Sequence, residues 1–190
     1  GIYSFFDKDR YHVYVMKLVG SSWTVLLHFD EELGAENPVI EEIAVDKNDF
    51  SFTLNNQKII FDYAYITIHG EPGENGCLQG YLEMMGIPHS TCGVLPASLT
   101  YNKFMCNQFL KGYGITVAES IQLKKGEASY SDVIDEVNTQ IGYPCFVKPN
   151  LGGSSFGITK VKEKKELPFA IDKAFNEAEE IVIESFLDGV

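Results

Sequence analysis

The chain lacks most of what a disulfide-rich, membrane-spanning or nucleic-acid-binding protein needs. Its four cysteines among 190 residues are widely spaced and form no C-x-x-C pair, which indicates reduced thiols in a cytoplasmic protein rather than a disulfide framework. No apolar run is long enough to cross a bilayer, and no signal-peptide pattern is present. The 15 basic residues are scattered among 27 acidic ones, giving a net charge of −12. A broad basic face for nucleic acid is therefore not expected.

Histidine is also scarce, with only four residues. Cys77, His89 and Cys92 together with His69 could be imagined as zinc ligands, but their spacings match no common zinc finger or ribbon. Buried cysteine and hydrogen-bonded histidine are a commoner arrangement of such residues. We therefore predict no metal site within this chain.

Apolar residues, by contrast, make up 45% of the chain, enough for a packed core. Strand patterns occur in the first part at residues 11–18, 23–28, 50–54, 58–61 and 63–68. The last of these is an almost continuous apolar run, typical of a strand buried on both faces. A glycine-rich loop at 69–76 follows it, and then a helix with Leu78, Leu82 and Met85 on one side. Strand, loop and helix together indicate half of a parallel-sheet unit.

The second part of the chain has a different composition. Its predicted elements are a helix at 100–111 with Phe104, Phe109 and Leu110 inward, a helix at 132–141, strands at 143–148 and 157–161, a helix at 167–175 and a strand at 180–187. The boundary between the two parts lies near residues 96–100. We therefore predict two domains, an α/β domain at 1–99 and a smaller α+β domain at 100–190.

The segment 148–157 has the chemistry of a phosphate-binding loop. It reads K-P-N-L-G-G-S-S-F-G and leaves an apolar strand whose last residue is Lys148. Glycines let backbone N–H groups approach an anion closely, the two serines add donors, and the lysine adds a positive charge. A hairpin turn is the alternative, but it needs only one or two glycines at its tip. The composition of the loop favours phosphate binding.

Four blocks of this sequence resemble the D-alanine–D-alanine ligases of the ATP-grasp superfamily. The first block, residues 69–88, is similar to the family's H-G-x-x-G-E-[DN]-G-x-[LIV]-Q-G-x-L-E pattern. The second is Asn102-Lys103, where the family usually has D-K, and the third is 147–157. The fourth, 181–189, is similar to the strand that supplies the adenine-binding hinge. The order and spacing of all four blocks match the family.

The resemblance implies roles for particular residues. The residues implied to bind ATP are Lys103, Lys148, Gly153, Ser154, Ser155, Glu184, Phe186 and Leu187. His69 matches a histidine beside the first D-alanine, and Ser154 lies in the loop that closes over the reacting carboxylate. These two are the implied catalytic residues.

The resemblance also implies a fold and a reaction. The fold is an N-terminal open parallel-sheet domain of flavodoxin or Rossmann type, followed by the first α+β lobe of an ATP-grasp fold. The reaction phosphorylates one D-alanine with ATP, and a second D-alanine attacks the acylphosphate to give D-alanyl-D-alanine for peptidoglycan. The implied setting is a homodimeric, magnesium-dependent ligase in the bacterial cytoplasm.

The chain departs from the family pattern at both ends. The first strand and loop of the N-terminal domain and the C-terminal catalytic domain with its Mg²⁺ ligands are absent from it. We therefore expect a piece of a longer enzyme, without ligase turnover by itself. Three alternatives stay open: a ligase that joins D-alanine to D-lactate or D-serine, or another carboxylate-amine ligase; a non-catalytic nucleotide-binding module; and an ordinary flavodoxin-like domain.

Overall fold

The computed structural model describes residues 2–27, 41–153 and 156–188. The chain divides into two compact units, one comprising Gly1–Ala64 and Met85–Pro88, the other Tyr65–Met84 and His89–Val190. The sequence predicts a domain boundary between residues 99 and 100. The division into compact units does not test that boundary, so it stays a prediction.

The first unit is built from a short helix and two groups of antiparallel strands. Helix α1 (Ile2–Phe5) is followed by β1 (Val15–Val19), β2 (Ser22–Leu26) and β3 (Glu42–Ala44), which pair in the order β1-β2-β3. Strands β4 (Ser51–Leu54) and β5 (Gln57–Ile60) form the hairpin predicted at 50–61. Asn55 and Asn56 form its turn at φ values of 50° and 61°, which a tight hairpin requires and asparagine tolerates.

The predicted bounds of the first two strands need adjustment. The strand predicted at 11–18 begins only at Val15, and residue 28 of the strand predicted at 23–28 lies outside the described residues. Aromatic rings fill the core of this unit, with Phe52 4.9 Å from Tyr14 and 5.4 Å from Phe61, measured between ring centroids.

The apolar run at 63–68 forms no regular strand, contrary to the sequence-based prediction. The segment that follows the next helix takes up some of its backbone N–H groups instead. Ala64 donates to the Pro88 carbonyl at 2.9 Å, and Ile66 donates to the Ser90 hydroxyl at 2.9 Å. All the strand pairs that the structure describes are antiparallel, so the predicted parallel pairing is not among them.

Three helices follow in the second unit: α2 (Cys77–Met84), α3 (Val94–Tyr101) and α4 (Lys103–Gly112). The single helix predicted at 100–111 is therefore wrong, because Asn102 interrupts it with an extended backbone. The Asn102 side chain then caps α4 by accepting a hydrogen bond from the Met105 N–H at 2.9 Å, a common role of asparagine. Phe109, predicted to face inward, is exposed.

A four-stranded antiparallel sheet completes the second unit. The elements in chain order are β6 (Ser120–Lys124), α5 (Tyr130–Glu136), β7 (Cys145–Pro149), β8 (Thr159–Val161), α6 (Leu167–Phe175) and β9 (Glu180–Ser185). The strand order is β6-β9-β7-β8. Strand β6 was not predicted from the sequence. No helix in the described ranges is both long and apolar enough to cross a membrane.

The sheet of the second unit has one apolar face and one mixed face. Side chains of the apolar face pack with α5 and α6 in a core that includes Val133, Cys145, Val147, Val161, Leu167, Ala170, Ile171, Ile181 and Ile183. Because side chains alternate along a strand, the intervening residues of β7 and β9 lie on the other face. That mixed face carries the candidate site.

Candidate active site

Strand β7 places Lys148 on the mixed face of the sheet. Its neighbour Val147 is fully buried in the core, so strand alternation turns Lys148 and Phe146 the other way. In the register with β9, Phe146 lies opposite Glu184 and Lys148 lies opposite Val182. Lysine and glutamate therefore approach each other diagonally across two central strands.

Lys148 and Glu184 form a mostly buried ion pair. The Nζ–Oε2 distance is 2.5 Å, and the side chains keep only 21% and 11% of their exposure. The other oxygen of Glu184 accepts a hydrogen bond from Asn107 Nδ2 at 3.0 Å. Removing one partner of such a pair leaves an uncompensated buried charge, so the pair fixes both side chains in place.

Lys103, the first residue of α4, lies beside the same pair. Its Nζ donates to the Gly152 carbonyl at 2.7 Å and to the Asn150 carbonyl at 3.3 Å. Burial lowers the pKa of Lys103 and the charge of Lys148 lowers it further, while Glu184 acts in the opposite direction. The two lysines predicted from the sequence are thus brought near one another and near the Glu184 carboxylate.

The two ammonium groups keep hydrogen-bonding capacity for an anion. An ammonium has three donors. Among the described residues, Lys103 uses two of them on carbonyl oxygens and Lys148 uses one on Glu184. About three N–H donors, counted from these contacts, therefore remain for oxygens of a bound group.

Asn150 anchors the loop between the two lysines. It is completely buried, and its backbone N–H donates to Glu180 O at 2.9 Å while its carbonyl accepts from the Lys103 N–H at 3.2 Å. Its side chain accepts from the Phe104 N–H at 2.9 Å and donates to Glu180 Oε2 at 3.3 Å. One residue thereby ties the start of α4 to the start of β9.

Replacing Asn150 with alanine is expected to destabilise the second unit. The Phe104 N–H would lose its acceptor and the Glu180 carboxylate would lose a donor in a partly buried setting, at a cost of about 1–3 kcal/mol for an unsatisfied group. We expect the free energy of unfolding, measured by denaturant titration, to fall by about 3 kcal/mol. Asn176→Ala is the matched control, because Asn176 is exposed and no side-chain hydrogen bond is described for it. Equal losses for the two variants would contradict the anchoring role.

The loop after Asn150 contains glycines where a side chain would be strained. Gly152 and Gly157 have φ values of 97° and 71°, and a Cβ on Gly157 would lie 3.0 Å from Pro149 and from Glu177. Gly153 lies near Glu74, whose Oε2 would be 3.8 Å from an added Cβ. Ser154 and Ser155, the two predicted hydroxyl donors, lie outside the described residues.

The loop 69–76 lies beside this glycine loop. Glu74 Oε2 accepts the Gly70 N–H at 2.6 Å, and His69 Nδ1 is 3.7 Å from Glu74 Oε1. The His69 side chain is 91% exposed. The structure therefore places His69 next to Glu74, and no contact between His69 and Lys103, Lys148 or Glu184 is described within residues 2–27, 41–153 and 156–188.

A cavity of about 310 Å³ lies between the loop 69–76, α3 and Lys103. It is lined by Gly73, Glu74, Gln79, Thr91, Cys92, Ala97, Thr100, Tyr101, Lys103 and Gly152. Burial raises the pKa of Tyr101, and the charges of Glu71 and Glu74 raise it further. Carboxylate, phenol and ammonium groups therefore converge on a space large enough for a small polar molecule.

Phe186 and Leu187 lie just after the end of β9. Phe186 is 37% and Leu187 56% exposed. The Phe186 N–H donates to Pro144 O at 3.2 Å, whereas for the Leu187 N–H no acceptor is described among the residues that the structure covers. Both residues lie within three positions of Glu184 along the chain, and their role at an adenine-binding hinge stays a prediction.

Sequence reasoning missed Asn107, Asn150 and Glu74 as parts of the site. Asn107 lies four residues after Lys103 on α4, and residues spaced i and i+4 share a helix face. The spacing of Lys103 and Asn107 could therefore have identified Asn107 from the sequence. Asn150 and Glu74 stand inside loops already singled out, but nothing in their sequence neighbourhood indicates which backbone groups they bind.

In the described ranges, no cluster of three or more His, Cys, Asp or Glu side chains is placed to hold a metal ion.

The chain matches two family models, which together cover all of it except residues 93–108. Residues 1–92 match the model described as D-ala D-ala ligase N-terminus, and residues 109–190 match the model described as D-ala D-ala ligase C-terminus. The chain belongs to the D-alanine–D-alanine ligase family. The family resemblance predicted from the four sequence blocks is thereby confirmed.

Curated relatives agree with this assignment. The chain is 53% identical over 190 residues to a D-alanine–D-alanine ligase of Bacteroides fragilis, covering 100% of this chain and 54% of that protein. It is 52% identical over 189 residues to one of Phocaeicola vulgatus, again covering 100% of this chain and 54% of the relative. The chain thus spans about half the length of these ligases.

Solved structures of the family have the same fold. The VanG D-Ala:D-Ser ligase of Enterococcus faecalis superposes with a TM-score of 0.80 at 28% identity, covering 99% of this chain and 57% of that one. The D-alanine–D-alanine ligase of Helicobacter pylori gives 0.74 at 26% identity, covering 93% and 55%. The predicted mixed α and β fold of an ATP-grasp ligase is therefore confirmed.

Proposed function

We propose that this chain is the part of an ATP-dependent D-alanine–D-alanine ligase that binds the nucleotide and the first D-alanine. The observation that carries the proposal is the convergence of Lys103 and Lys148 on Glu184 beside the loop 150–153. Two cations with unused donors next to a glycine loop suit a polyphosphate. An ordinary flavodoxin-like domain would give these paired lysines no role.

The proposed reaction has two steps. A carboxylate oxygen of the first D-alanine attacks the γ-phosphorus of ATP, the bond to the bridging oxygen breaks, and an acylphosphate and ADP form. The amine of the second D-alanine then attacks the acyl carbon. Phosphate leaves from the tetrahedral intermediate, the amine loses a proton, and D-alanyl-D-alanine remains.

Lys103 and Lys148 would act on the phosphoryl oxygens. Negative charge redistributes over these oxygens as the phosphoryl group is transferred, and preorganised cations stabilise that charge most in a site with little water. Lys103 is held by two carbonyls and Lys148 by Glu184, so neither ammonium must reorganise at that moment. Gly153, Ser154 and Ser155 would close over the phosphates, as the family resemblance implies.

The adenine end of ATP would lie at the hinge after β9. The Leu187 N–H can donate to a ring nitrogen of the base, and the apolar side chains of Phe186 and Leu187 can cover its faces. Glu184 is already bonded to Lys148 and Asn107, yet each carboxylate oxygen can accept a second hydrogen bond. It can therefore also accept from the exocyclic amine.

The first D-alanine would lie between the loop 69–76 and Lys103. His69 and Ser154 are the catalytic residues that the family resemblance implies, and the acidic partner of His69 is Glu74. Among the described residues, no cluster of side chains is placed to bind the Mg²⁺ expected for the family. The roles proposed here therefore involve only side chains and backbone groups of this chain.

The wider setting is proposed from the family. The domain division would fall at 1–99, a substrate domain, and 100–190, the ATP-grasp lid domain. The ligase would be a homodimer in the bacterial cytoplasm, where it supplies a dipeptide for peptidoglycan synthesis.

The test is a ligase assay on the full-length gene product with ATP, Mg²⁺ and D-alanine. We expect phosphate release that depends on D-alanine and equals the D-alanyl-D-alanine formed, with L-alanine as the inactive control. D-Serine and D-lactate serve as alternative second substrates, since the structural similarity to a D-Ala:D-Ser ligase makes D-serine the second candidate. Nucleotide binding without any dipeptide or depsipeptide product would contradict the proposal and favour a non-catalytic module.

A further inference from the structure

Lys160 lies on the mixed face of the sheet, in a row with Phe146 and Glu184. Lys160 is opposite Phe146 in the register of β7 and β8, and Phe146 is opposite Glu184 in the register of β7 and β9. Side chains paired across neighbouring strands share a face. The three strands therefore bring a lysine, an aromatic ring and the carboxylate of the proposed hinge to one surface.

The Lys160 ammonium contacts two aromatic rings. Its Nζ lies 3.7 Å from the ring centroid of Phe186 and 5.8 Å from that of Phe146. The two ring centroids are 6.1 Å apart and their planes are tilted by 40°. Both Nζ distances lie within the range of about 6 Å over which a cation is attracted to a ring face.

The charge of Lys160 is not balanced by an acidic side chain in the part of the chain that the structure describes. Lys148, on the neighbouring β7, is paired with Glu184, and Lys124, on β6 at the other edge of the sheet, is paired with Glu180. For Lys160, the contacts described among the residues that the structure covers are those with its two rings. A cation held against aromatic rings, without a counter-charge, can still donate hydrogen bonds to another group.

The surroundings of this cation suit a flat heterocycle. Phe186 and Leu187 keep exposed apolar surface, on which an aromatic base can stack. A purine also carries ring nitrogens that accept hydrogen bonds from an ammonium, and its π face attracts cations. Phosphate, by contrast, would lie nearer Lys148, which is two residues and about 7 Å further along β7 than Phe146.

We propose that Lys160 binds the purine base of the nucleotide while the base stacks against Phe186 and Leu187. The inference rests on the proposed function, because it requires ATP on this face of the sheet. Three lysines would then contact the nucleotide: Lys103 and Lys148 bind the phosphates, and Lys160 binds the base.

The test compares two ligands in equilibrium titrations of the full-length gene product. ATP carries the base, and ribose 5-triphosphate lacks it. The variants are Lys160→Met, which removes the charge and keeps the stem, and Lys160→Arg, which keeps a cation able to stack on a ring. Lys162→Met is the matched control, because Lys162 is also exposed and no ring contact is described for it.

We expect Lys160→Met to weaken ATP binding about fivefold, as for loss of a cation–π contact, and to leave ribose 5-triphosphate binding within about twofold of wild type. Lys160→Arg and Lys162→Met should both stay within about twofold for ATP. If Lys160→Met weakens the binding of both ligands equally, the inference is overturned in favour of a phosphate contact. If ATP binding is unchanged, Lys160 is a solvated charge with no role in binding the base, and the inference is also overturned. If the wild-type protein binds no ATP, the proposed function itself fails, which is a separate result.

Discussion

Lys148→Met is expected to reduce ATP-dependent ligase turnover of the full-length protein by at least about 100-fold, the usual cost of losing one preorganised group that stabilises a transition state. Lys148 is held by Glu184 at 2.5 Å and keeps two donors for phosphate oxygens. Methionine preserves the apolar stem and removes the charge. The measurement is phosphate release at saturating D-alanine over a range of ATP concentrations.

The loss of turnover must be separated from loss of folding. Lys148→Met leaves Glu184 as an unpaired and mostly buried carboxylate, which destabilises the protein. The double variant Lys148→Met with Glu184→Gln removes that charge and keeps the hydrogen bond from Asn107, so it should regain stability in a denaturant titration without regaining turnover. A single variant that retains turnover within about threefold of wild type would remove Lys148 from the site.

Gly73→Ala is expected to lower the free energy of unfolding by about 3 kcal/mol, at the upper end for overpacking. A Cβ at this position would lie 2.6 Å from Ile68 Cβ and 2.8 Å from the Ile68 carbonyl oxygen. Neither atom is the end of a flexible side chain, so the backbone must move. The Gly73 carbonyl also accepts from buried Gln79 at 2.6 Å, so the movement extends into the cavity beside Lys103.

Gly112→Ala is the matched control for the Gly73 variant. Gly112 ends α4, has no positive φ, and an added Cβ would meet nothing within 4 Å. Alanine there is expected to be neutral or slightly stabilising, because it favours a helix. The measurement is the denaturant midpoint of each variant against wild type. A Gly73→Ala midpoint equal to that of Gly112→Ala would show that the loop 69–76 is less tightly packed than described.

The parts of the fold that depend on local patterns were predictable. The hairpin at 50–61 follows from β-forming residues around Asn55 and Asn56, and α6 follows from the spacing of its apolar residues. Elements that depend on distant partners were not. The run 63–68 reads as a buried strand, yet Pro88 and Ser90 take up its N–H groups. Strand β6 alternates only over Ile121 and Leu123, too short a pattern to recognise.

The candidate site was predictable where chemistry is concentrated in one segment. Lys148 and the glycines of 148–157 are recognisable because few other functions need them together, and the family blocks added Lys103 and Glu184. The partners of these residues were not predictable. The carbonyls bonded to Lys103 and the capping of Phe104 by Asn150 depend on tertiary structure, for which a single sequence carries no signal.

The most direct test of the account is a crystal structure of the full-length protein with a non-hydrolysable ATP analogue. We expect phosphate oxygens within about 3 Å of both Lys103 Nζ and Lys148 Nζ, as in charge-assisted hydrogen bonds. We also expect the base to lie on Phe186 and Leu187, within reach of Lys160. A nucleotide bound elsewhere, with Lys103 still bonded only to the Asn150 and Gly152 carbonyls and Lys148 only to Glu184, would contradict it.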